Sequence, residues 1–175
     1  MTLNERIQIR RADPSDRELL ESLLQFYIYD FSEFEDAGSD RLGFDSHGRF
    51  GINISLDPYW SVPGHVAYIL LETGRPAGFA LVNQKSHVGQ AIDHNMAEFF
   101  VARKYRRGGV ATAAFHQMLD LHPGTWEVAI IEPNLAAQKF WPAAIKAYGN
   151  ASDVKMIHHN CPDWRGPIWT FVTAP

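Results

Sequence analysis

The sequence predicts a mixed α/β fold in which helices flank one central sheet. Short apolar runs of strand length recur along the chain, segments with apolar residues at helical spacing lie between them, and glycine, proline and acidic residues mark the breaks. The chain has 175 residues, of which 46% are hydrophobic, which is enough for one domain with a real core. We therefore expect residues 1–175 to form a single domain.

The first part of the chain should contain a strand, a long helix and an irregular segment. Residues 7–10 alternate apolar and polar side chains, as a strand with one buried face does. Asp13 and Pro14 indicate a helix start, and an apolar stripe at helical spacing then runs from Leu19 to Phe31. Residues 32–64 are rich in Gly, Asp, Ser and Pro and predict a long loop, of the kind that often serves as a lid or a binding loop.

The remainder of the chain should supply most of the sheet. In order, we expect strands at 66–71, 77–82 and 96–101, a helix at 110–119, a strand at 126–131, a helix at 136–148 and two strands near 155–158 and 168–172. The sequence Gly74-Arg75-Pro76 predicts a turn between the first two of these strands. Pro142 predicts a kink in the last helix, because proline removes a backbone donor.

Composition disfavours several classes of protein. The formal net charge of −4 argues against nucleic acid as the main partner. The longest apolar runs, such as 68–71, are too short to span a membrane, and the N-terminus lacks the apolar stretch of a signal peptide. Cys161 is the only cysteine, so a reducing, cytoplasmic location fits best. His158 and His159 would point to opposite sides of a strand, and we expect no metal site.

Charge is distributed unevenly along the chain. Residues 13–57 hold eleven acidic and three basic side chains, a balance of −8, whereas the rest of the chain holds nine acidic and thirteen basic ones, a balance of +4. One interpretation is that the first region lies near cations and the second near anions. The alternative is that both are ordinary solvated faces.

A basic turn that contains two glycines predicts a phosphate site after the strand at 96–101. The first amides of a helix have no partner within the helix, and the helix dipole makes that end positive. Glycines let a ligand approach the backbone closely, so the segment is a candidate pyrophosphate cradle. A turn that only reverses the chain is the alternative. The candidate ligands are Arg106, Arg107, Gly108, Gly109, Val110, Ala111 and Thr112.

Two motifs in this order resemble those of the GNAT acyltransferases. Arg106-x-x-Gly109-x-Ala111 matches the family signature Arg/Gln-x-x-Gly-x-Gly/Ala, whose turn amides hold the pyrophosphate of CoA. Asn134-x-x-Ala137-x-x-Phe140 resembles the second motif, in which the Asn begins the next helix and meets the pantetheine arm. Within this superfamily the chain resembles a sparsely characterised branch of predicted acetyltransferases, with a Tyr-x-x-Asp-Phe helix end at 27–31 and a Phe-Phe-Val strand.

The resemblance implies both a fold and an activity. The implied fold is a mixed, mostly antiparallel sheet of six to seven strands with flanking helices, in which the fourth and fifth strands splay apart. Acetyl-CoA would be the co-substrate, with its pantetheine arm against Phe99, Phe100 and Val101. A primary amine of a small molecule or of a protein would attack the thioester directly in a ternary complex. The alternative is a non-catalytic acyl-CoA-binding regulatory protein. The acceptor and the acyl length stay open, as does the oligomeric state, with a homodimer as one option.

Glu98 and Tyr148 are the candidate catalytic residues. Glu98 is a lone carboxylate in the apolar run 96–101, which is costly unless the carboxylate is paired or lies in a cleft. An amine with a pKa of about 10.4 needs a proton acceptor, and many family members place a Glu on this strand as the base. A structural carboxylate is the alternative. Trp141 stands where many members carry an acidic Tyr, and indole does not usefully ionise, so Tyr148 is the candidate substitute.

Aromatic side chains accompany the acidic residues of the first region. Tyr27 and Phe31 lie on its predicted helix, and Tyr59 and Trp60 lie at the end of its predicted loop. In the GNAT pattern this region forms the wall of the acceptor site. Acidic and aromatic side chains together attract an ammonium group and pack against its carbon skeleton, so we expect these four residues to bind a cationic acceptor. The alternative is that the aromatic residues belong to the core.

Overall fold

One seven-stranded sheet lies at the centre of the part of the chain that the structure describes. This computed structural model describes residues 3–36, 38–39, 41–51, 54–161 and 164–174. In chain order the strands are β1 (Ile7–Arg11), β2 (Val66–Glu72), β3 (Arg75–Asn83), β4 (His94–Val101), β5 (Gly124–Ala129), β6 (Ala151–Asn160) and β7 (Arg165–Thr173). Across the sheet their order is β1-β2-β3-β4-β5-β7-β6. Neighbouring strands are antiparallel except β4 and β5, so the predicted mixed, mostly antiparallel sheet is confirmed.

Helices flank this sheet. They are α1 (Leu3–Arg6), α2 (Arg17–Phe31), α3 (Pro58–Ser61), α4 (Val110–Leu121) and α5 (Leu135–Tyr148). A capping box precedes α2: the Asp13 carboxylate accepts from the Ser15 amide at 2.8 Å, and the Asp16 carboxylate accepts from the Asp13 amide at 3.0 Å. Within the described ranges, none of the helices is long and apolar enough to cross a membrane.

The turn between β2 and β3 differs from the sequence prediction. Thr73 and Gly74 have φ angles of 49° and 75°, so these two residues reverse the chain. Arg75 and Pro76 already belong to β3, where Pro76 lies opposite Leu71 beside an irregularity in the register. The prediction of a turn at Gly74-Arg75-Pro76 was therefore wrong in its position, because a strand tolerates proline near its start.

The sheet carries a buried apolar core on each face. On one face α4 and α5 cover a core that includes Phe115 and Trp126. On the other face α2 and the segments after it cover a second core that includes Phe79. Successive side chains of a strand point to opposite faces. On β4, Phe99 accordingly packs against the first core and Phe100 lies in the second.

The parallel strands β4 and β5 are hydrogen-bonded at one end only. Their register contains the pairs His94–Trp126 and Asn95–Glu127. On its other side β4 pairs with β3 as far as Val101. The remaining residues of β4 therefore have a paired edge toward β3 and an open edge toward β5, which is the expected splay between the fourth and fifth strands.

Candidate active site

A cavity of about 620 Å³ lies along the end of β4 that has parted from β5. Four parts of the chain form its wall: the end of β4 with the turn that follows, the first turn of α4, the first half of α5, and the end of α2 with residues 32–34. Two of these parts carry the sequence motifs, and a third carries the predicted acceptor aromatics. The fold thus brings segments more than 100 residues apart in sequence around one space.

The turn before α4 has the backbone that an anion cradle needs. Arg107 and Gly109 have positive φ angles of 62° and 84°, which turn the chain sharply into the helix. The Ala113 amide donates to the Gly109 carbonyl at 3.0 Å, so the amides before Ala113 lie in the unpaired first turn. Arg107, Gly109, Ala111 and Thr112 line the cavity. A helix N-terminus in this position favours an anion through its amides and its dipole.

Two residues of the predicted cradle do not line the cavity. The Gly108 carbonyl points away and accepts a hydrogen bond from the Arg6 guanidinium. Val110 is almost fully buried in the core beneath α4. Their amides belong to the turn and the helix start, so only the backbone of these two residues could contribute to the predicted cradle.

Arg106 lines the cavity and is held there by contacts that the sequence did not predict. Its Nε donates to the Val101 carbonyl at 2.6 Å, and its Nη2 pairs with the Asp30 carboxylate. Arg103 also pairs with Asp30, at 2.9 Å. Asp30 lies at the end of α2 and lines the same cavity. The signal for Asp30 was its position three residues after Tyr27, which places both on one helix face.

The second motif forms the wall opposite the cradle. The Asn134 side chain caps α5 by accepting from the Ala137 amide at 3.0 Å. Asn134, Ala137 and Phe140 line the cavity, as do Phe99, Phe100 and Val101 of β4. The rings of Phe99 and Phe140 are nearly parallel, with centroids 6.2 Å apart. The gap between β4 and α5 is therefore a narrow apolar slot with backbone polar groups along one edge.

Trp141 completes this slot. It is 6% exposed and lines the cavity. Its ring lies 5.2 Å from that of Phe99 and 5.1 Å from that of Phe115. The indole therefore belongs to the packing that joins α5 to β4.

Glu98 lies on β4 immediately before the lining residues and forms a pair with Tyr27. The half-buried carboxylate accepts a hydrogen bond from the Tyr27 hydroxyl. Burial raises the pKa of Glu98 to about 7, while the Tyr27 hydrogen bond and the charge of His87 act to lower it. Burial and the Glu98 charge hold the pKa of Tyr27 well above its ordinary value. Because the Tyr27 ring lines the cavity, the pair joins Glu98 to that space.

The predicted acceptor aromatics divide into two groups. Tyr27 and Phe31 line the cavity with ring centroids 4.5 Å apart, and Phe34 extends this aromatic wall. The structure does not bring Tyr59 and Trp60 to the cavity. Tyr59 is buried in the second core, where burial raises its pKa to about 12. The Arg17 guanidinium lies over the Trp60 ring, with its central carbon 4.6 Å from the ring centroid.

Tyr148, the predicted acid, is also outside the residues that line the cavity. It ends α5, and its hydroxyl donates to Asp120 at 2.8 Å. Burial and then Asp120 raise the pKa of this hydroxyl to about 12. A hydroxyl committed to a carboxylate at the far end of α5 has no contact with the slot.

Many acidic residues of the region 13–57 are engaged by cations. Asp16 pairs with Arg10 at 2.7 Å, Glu35 pairs with Arg41 at 2.9 Å, and Asp57 pairs with Arg17. Glu33 is exposed and lines the cavity. The charge balance of the sequence therefore overstates the negative charge available to a ligand: of the two carboxylates of this region that line the cavity among the described residues, Asp30 is paired with arginines and Glu33 is exposed.

Fold and cavity together define an α/β protein of the GNAT type, with a splayed parallel strand pair and a helix N-terminus beside it. A sequence model of the acetyltransferase (GNAT) family matches residues 20–144. The chain belongs to this family and is therefore an acetyltransferase by class.

Solved structures give the same fold. An acetyltransferase from Thermus thermophilus superposes with a TM-score of 0.61 and 14% identity, over 95% of this chain and 96% of that one. A candidate streptothricin acetyltransferase from Bacillus anthracis, in complex with acetyl coenzyme A, has a TM-score of 0.57 and 14% identity, over 96% of this chain and 99% of that one. The ribosomal L7/L12 α-N-protein acetyltransferase RimL, in complex with coenzyme A, has a TM-score of 0.59 and 9% identity, over 95% of this chain and 92% of that one. A search of curated protein sequences found no match.

Proposed function

We propose that this protein transfers the acetyl group of acetyl-CoA to a primary amine, by direct attack in a ternary complex. The observation that carries the proposal is one cavity that joins an anion-binding helix start to a strand with a carboxylate whose pKa is near 7. Membership of the GNAT family supports it. The acetyl-CoA and CoA complexes of two neighbours of the same fold support the choice of co-substrate.

The cofactor-binding residues follow from the cavity walls. The pyrophosphate would bind the amides from Gly109 to Thr112, with Arg106 and Arg107 adding charge. The pantetheine arm would lie along residues 99–101, whose open edge toward β5 offers backbone donors and acceptors. Phe140 and Asn134 would close the slot from the α5 side.

Glu98 supplies the proton acceptor in this proposal. An alkyl ammonium with a pKa of about 10.4 must lose a proton before its nitrogen can attack the thioester. A base with a pKa near the working pH combines a deprotonated fraction with useful proton affinity, and burial gives Glu98 this property. The amine nitrogen then attacks the thioester carbon, the C–S bond breaks, and the nitrogen gives its second proton to the departing CoA thiolate. A thiol of about pKa 8.5 is a tolerable leaving group without a general acid.

The acceptor in this proposal is a cationic amine with an apolar portion. The exposed Glu33 carboxylate would attract the ammonium group, and the rings of Tyr27, Phe31 and Phe34 would pack against the carbon skeleton. The test compares amines of equal size but different charge at low and high salt. Cationic amines should give the higher kcat/KM, and their KM should rise with salt because screening weakens the attraction. A preference for an anionic acceptor contradicts this part of the proposal.

A panel of amines and peptides with acetyl-CoA, read out by thiol release, tests the activity itself. The expected result is acceptor-dependent release of CoA. Trp141 stands where many members of the family carry an acidic Tyr. The absence of that Tyr favours one alternative, a non-catalytic acyl-CoA-binding protein. That alternative predicts that CoA binds, as measured by calorimetry, while no acceptor in the panel produces thiol.

A further inference from the structure

A second carboxylate, Glu127, is fully buried on β5 and is held ionised by three hydrogen bonds. The Ser86 hydroxyl donates to it at 2.7 Å, the His87 amide at 2.7 Å, and the His87 Nδ1 lies 3.0 Å from Oε1. Burial acts to raise the pKa of Glu127, but the bonds from His87 and Ser86 outweigh it, and the net pKa is lowered. The acetyl transfer proposed above makes no use of this group.

Glu127 lies on the same face of the sheet as Glu98. It pairs with Asn95 at the last contact before β4 and β5 part. Its neighbour Trp126 packs in the core beneath α4, so the Glu127 side chain points to the opposite face. Glu98 reaches Tyr27 of α2, which covers that opposite face. Glu98 follows Asn95 by three residues, or roughly 10 Å along the strand.

His87 bonds to Glu127 and also acts on Glu98. In the neutral form of His87, Nδ1 carries the proton and donates to the Glu127 carboxylate, which leaves a lone pair on Nε2 to accept a second proton. The ring is partly exposed, at 28% for the side chain, and its centroid lies 4.4 Å from the ring of Trp164. When it is protonated, the His87 ring acts through its charge to lower the pKa of Glu98. The other titratable groups that face Glu98 are Tyr27 of α2 and Tyr59 of α3.

We propose that the His87–Glu127 pair is the proton outlet of the acetyltransferase site, seated on the same sheet face as Glu98 at the point where β4 and β5 part. This role rests on the proposed function. The acceptor ammonium gives its proton to the Glu98 carboxylate, and the amine attacks. Neutral Glu98 then gives the proton to the His87 Nε2, directly or through water, and returns to the carboxylate. The resulting imidazolium, balanced by Glu127, releases the proton to solvent at its exposed edge. His87 does not touch the substrate in this proposal. It acts through Glu98, whose proton it accepts, and is therefore a positioning residue.

The first experiment follows the titration of Glu98 by carboxyl NMR in the full-length protein without substrate. The test variant is His87→Asn, whose side-chain amide can replace the Nδ1 donor to Glu127 but cannot accept a proton. The expected result is a Glu98 pKa above that of the wild type, since the imidazolium charge no longer acts on it. An unchanged Glu98 titration overturns the proposal.

Ser86→Ala is the matched control. It removes the other side-chain bond to Glu127 and the two amide bonds from Val88 and Gln90 to the Ser86 hydroxyl, while the imidazole remains. It should leave the Glu98 titration at its wild-type position. If Ser86→Ala shifts that titration as His87→Asn does, the pair only anchors the loop, and the proposal is overturned.

Kinetics give the second readout. In His87→Asn we expect kcat/KM to fall about tenfold, with the acid limb of its pH profile moved upward and CoA affinity retained. Added imidazole should restore part of the rate in His87→Ala. If the wild type is active and the His87 variants have the same rate and the same pH profile, the proton outlet is overturned while the proposed function stands. A wild type that releases no thiol with any amine contradicts the proposed function, and the NMR titration still decides whether His87 and Glu98 are coupled.

The wild type itself supplies a measurement that needs no variant. A charge that appears on His87 acts on Glu98, so the Glu98 carboxyl signal of the wild type should titrate in two steps. A single-step titration of Glu98 overturns the proposal even if both His87 variants fail to fold.

Discussion

The two sides of the cavity are built from different materials. On the side of the proposed cofactor site, backbone groups form the wall: Gly109 adopts a left-handed φ of 84°, and the amides of the α4 start follow it. On the side of the proposed acceptor site the wall consists of side chains, chiefly Tyr27, Phe31 and Glu33. A backbone cradle restricts the residue types that can form it, whereas a wall of side chains can be assembled in many ways. The difference explains why one side carries a legible motif and the other does not.

Asp30 joins the two sides. It belongs to the last turn of α2, beside the acceptor aromatics, and its carboxylate pairs with both Arg103 and Arg106. An anion that binds Arg106 must compete with this carboxylate. In the proposed function, occupancy of the cradle and the position of the acceptor wall would therefore be linked through Asp30.

The largest expected effect comes from Gly109→Glu, which changes the backbone conformation and the charge of the proposed cradle. The variant adds a carboxylate and forces a side chain into a left-handed conformation, and we expect CoA affinity to fall by ~10²-fold or more. Gly74→Glu is the matched control, because Gly74 also has a positive φ, of 75°, with open space around it. Both variants should lose roughly 1 kcal/mol of stability, and only Gly109→Glu should lose calorimetric CoA binding. Equal CoA affinity in the two variants would contradict the proposed pyrophosphate site at this turn.

Glu98→Gln should have the next largest effect, on turnover. It keeps the shape of the side chain and removes the proton acceptor, so kcat should fall by ~10²-fold while CoA affinity stays near that of the wild type. The wild-type kcat/KM profile should show an inflection near the Glu98 pKa of about 7, and this inflection should vanish in the variant. A turnover that is unchanged between pH 6 and 9 makes Glu98 a structural residue.

The same substitution should change the pH dependence of stability. Burial raises the folded-state pKa of Glu98 from its ordinary value near 4.5 to about 7, so the stability present below the lower value is lost as pH rises through the higher one. Glu98→Gln cannot ionise. Relative to the wild type it should be similar at pH 4 and more stable at pH 8, by roughly 3 kcal/mol at most. Urea unfolding at both pH values measures this. If the variant and the wild type differ in free energy of unfolding by the same amount at pH 4 and pH 8, ionisation of Glu98 does not destabilise the folded protein.

Asp30→Asn should have the smallest effect, on the link between the two sides. Loss of the carboxylate leaves Arg103 and Arg106 free to face the pyrophosphate, so CoA affinity should rise roughly threefold to tenfold. Asp120→Asn is the control, since it removes a carboxylate that bonds Tyr148 outside the cavity lining. Weaker CoA binding in Asp30→Asn would show that Asp30 positions the arginines and does not compete for them.

Sequence reasoning succeeded where local physics fixes the residue type. The strands and helices followed from periodicity, and the turn before α4, where the cradle is predicted, followed from glycines and arginines at a helix start. Glu98 is conspicuous in the sequence because a lone carboxylate in an apolar strand is unusual. Glu127 gives the same signal in Trp126-Glu127-Val128, but the sequence offers nothing that connects it to His87, forty positions earlier.

The sequence by itself determined the fold class, the family and the turn and helix start at which we propose that the cofactor binds. Only the tertiary structure decided which acceptor aromatics line the cavity, that Asp30 engages the arginines, and that Tyr148 lies away from the slot. The physical reason is the range of the interactions. Helix starts, left-handed turns and amphipathic stripes depend on neighbours in sequence, whereas the partner of a side chain depends on how distant segments pack, which no local pattern encodes.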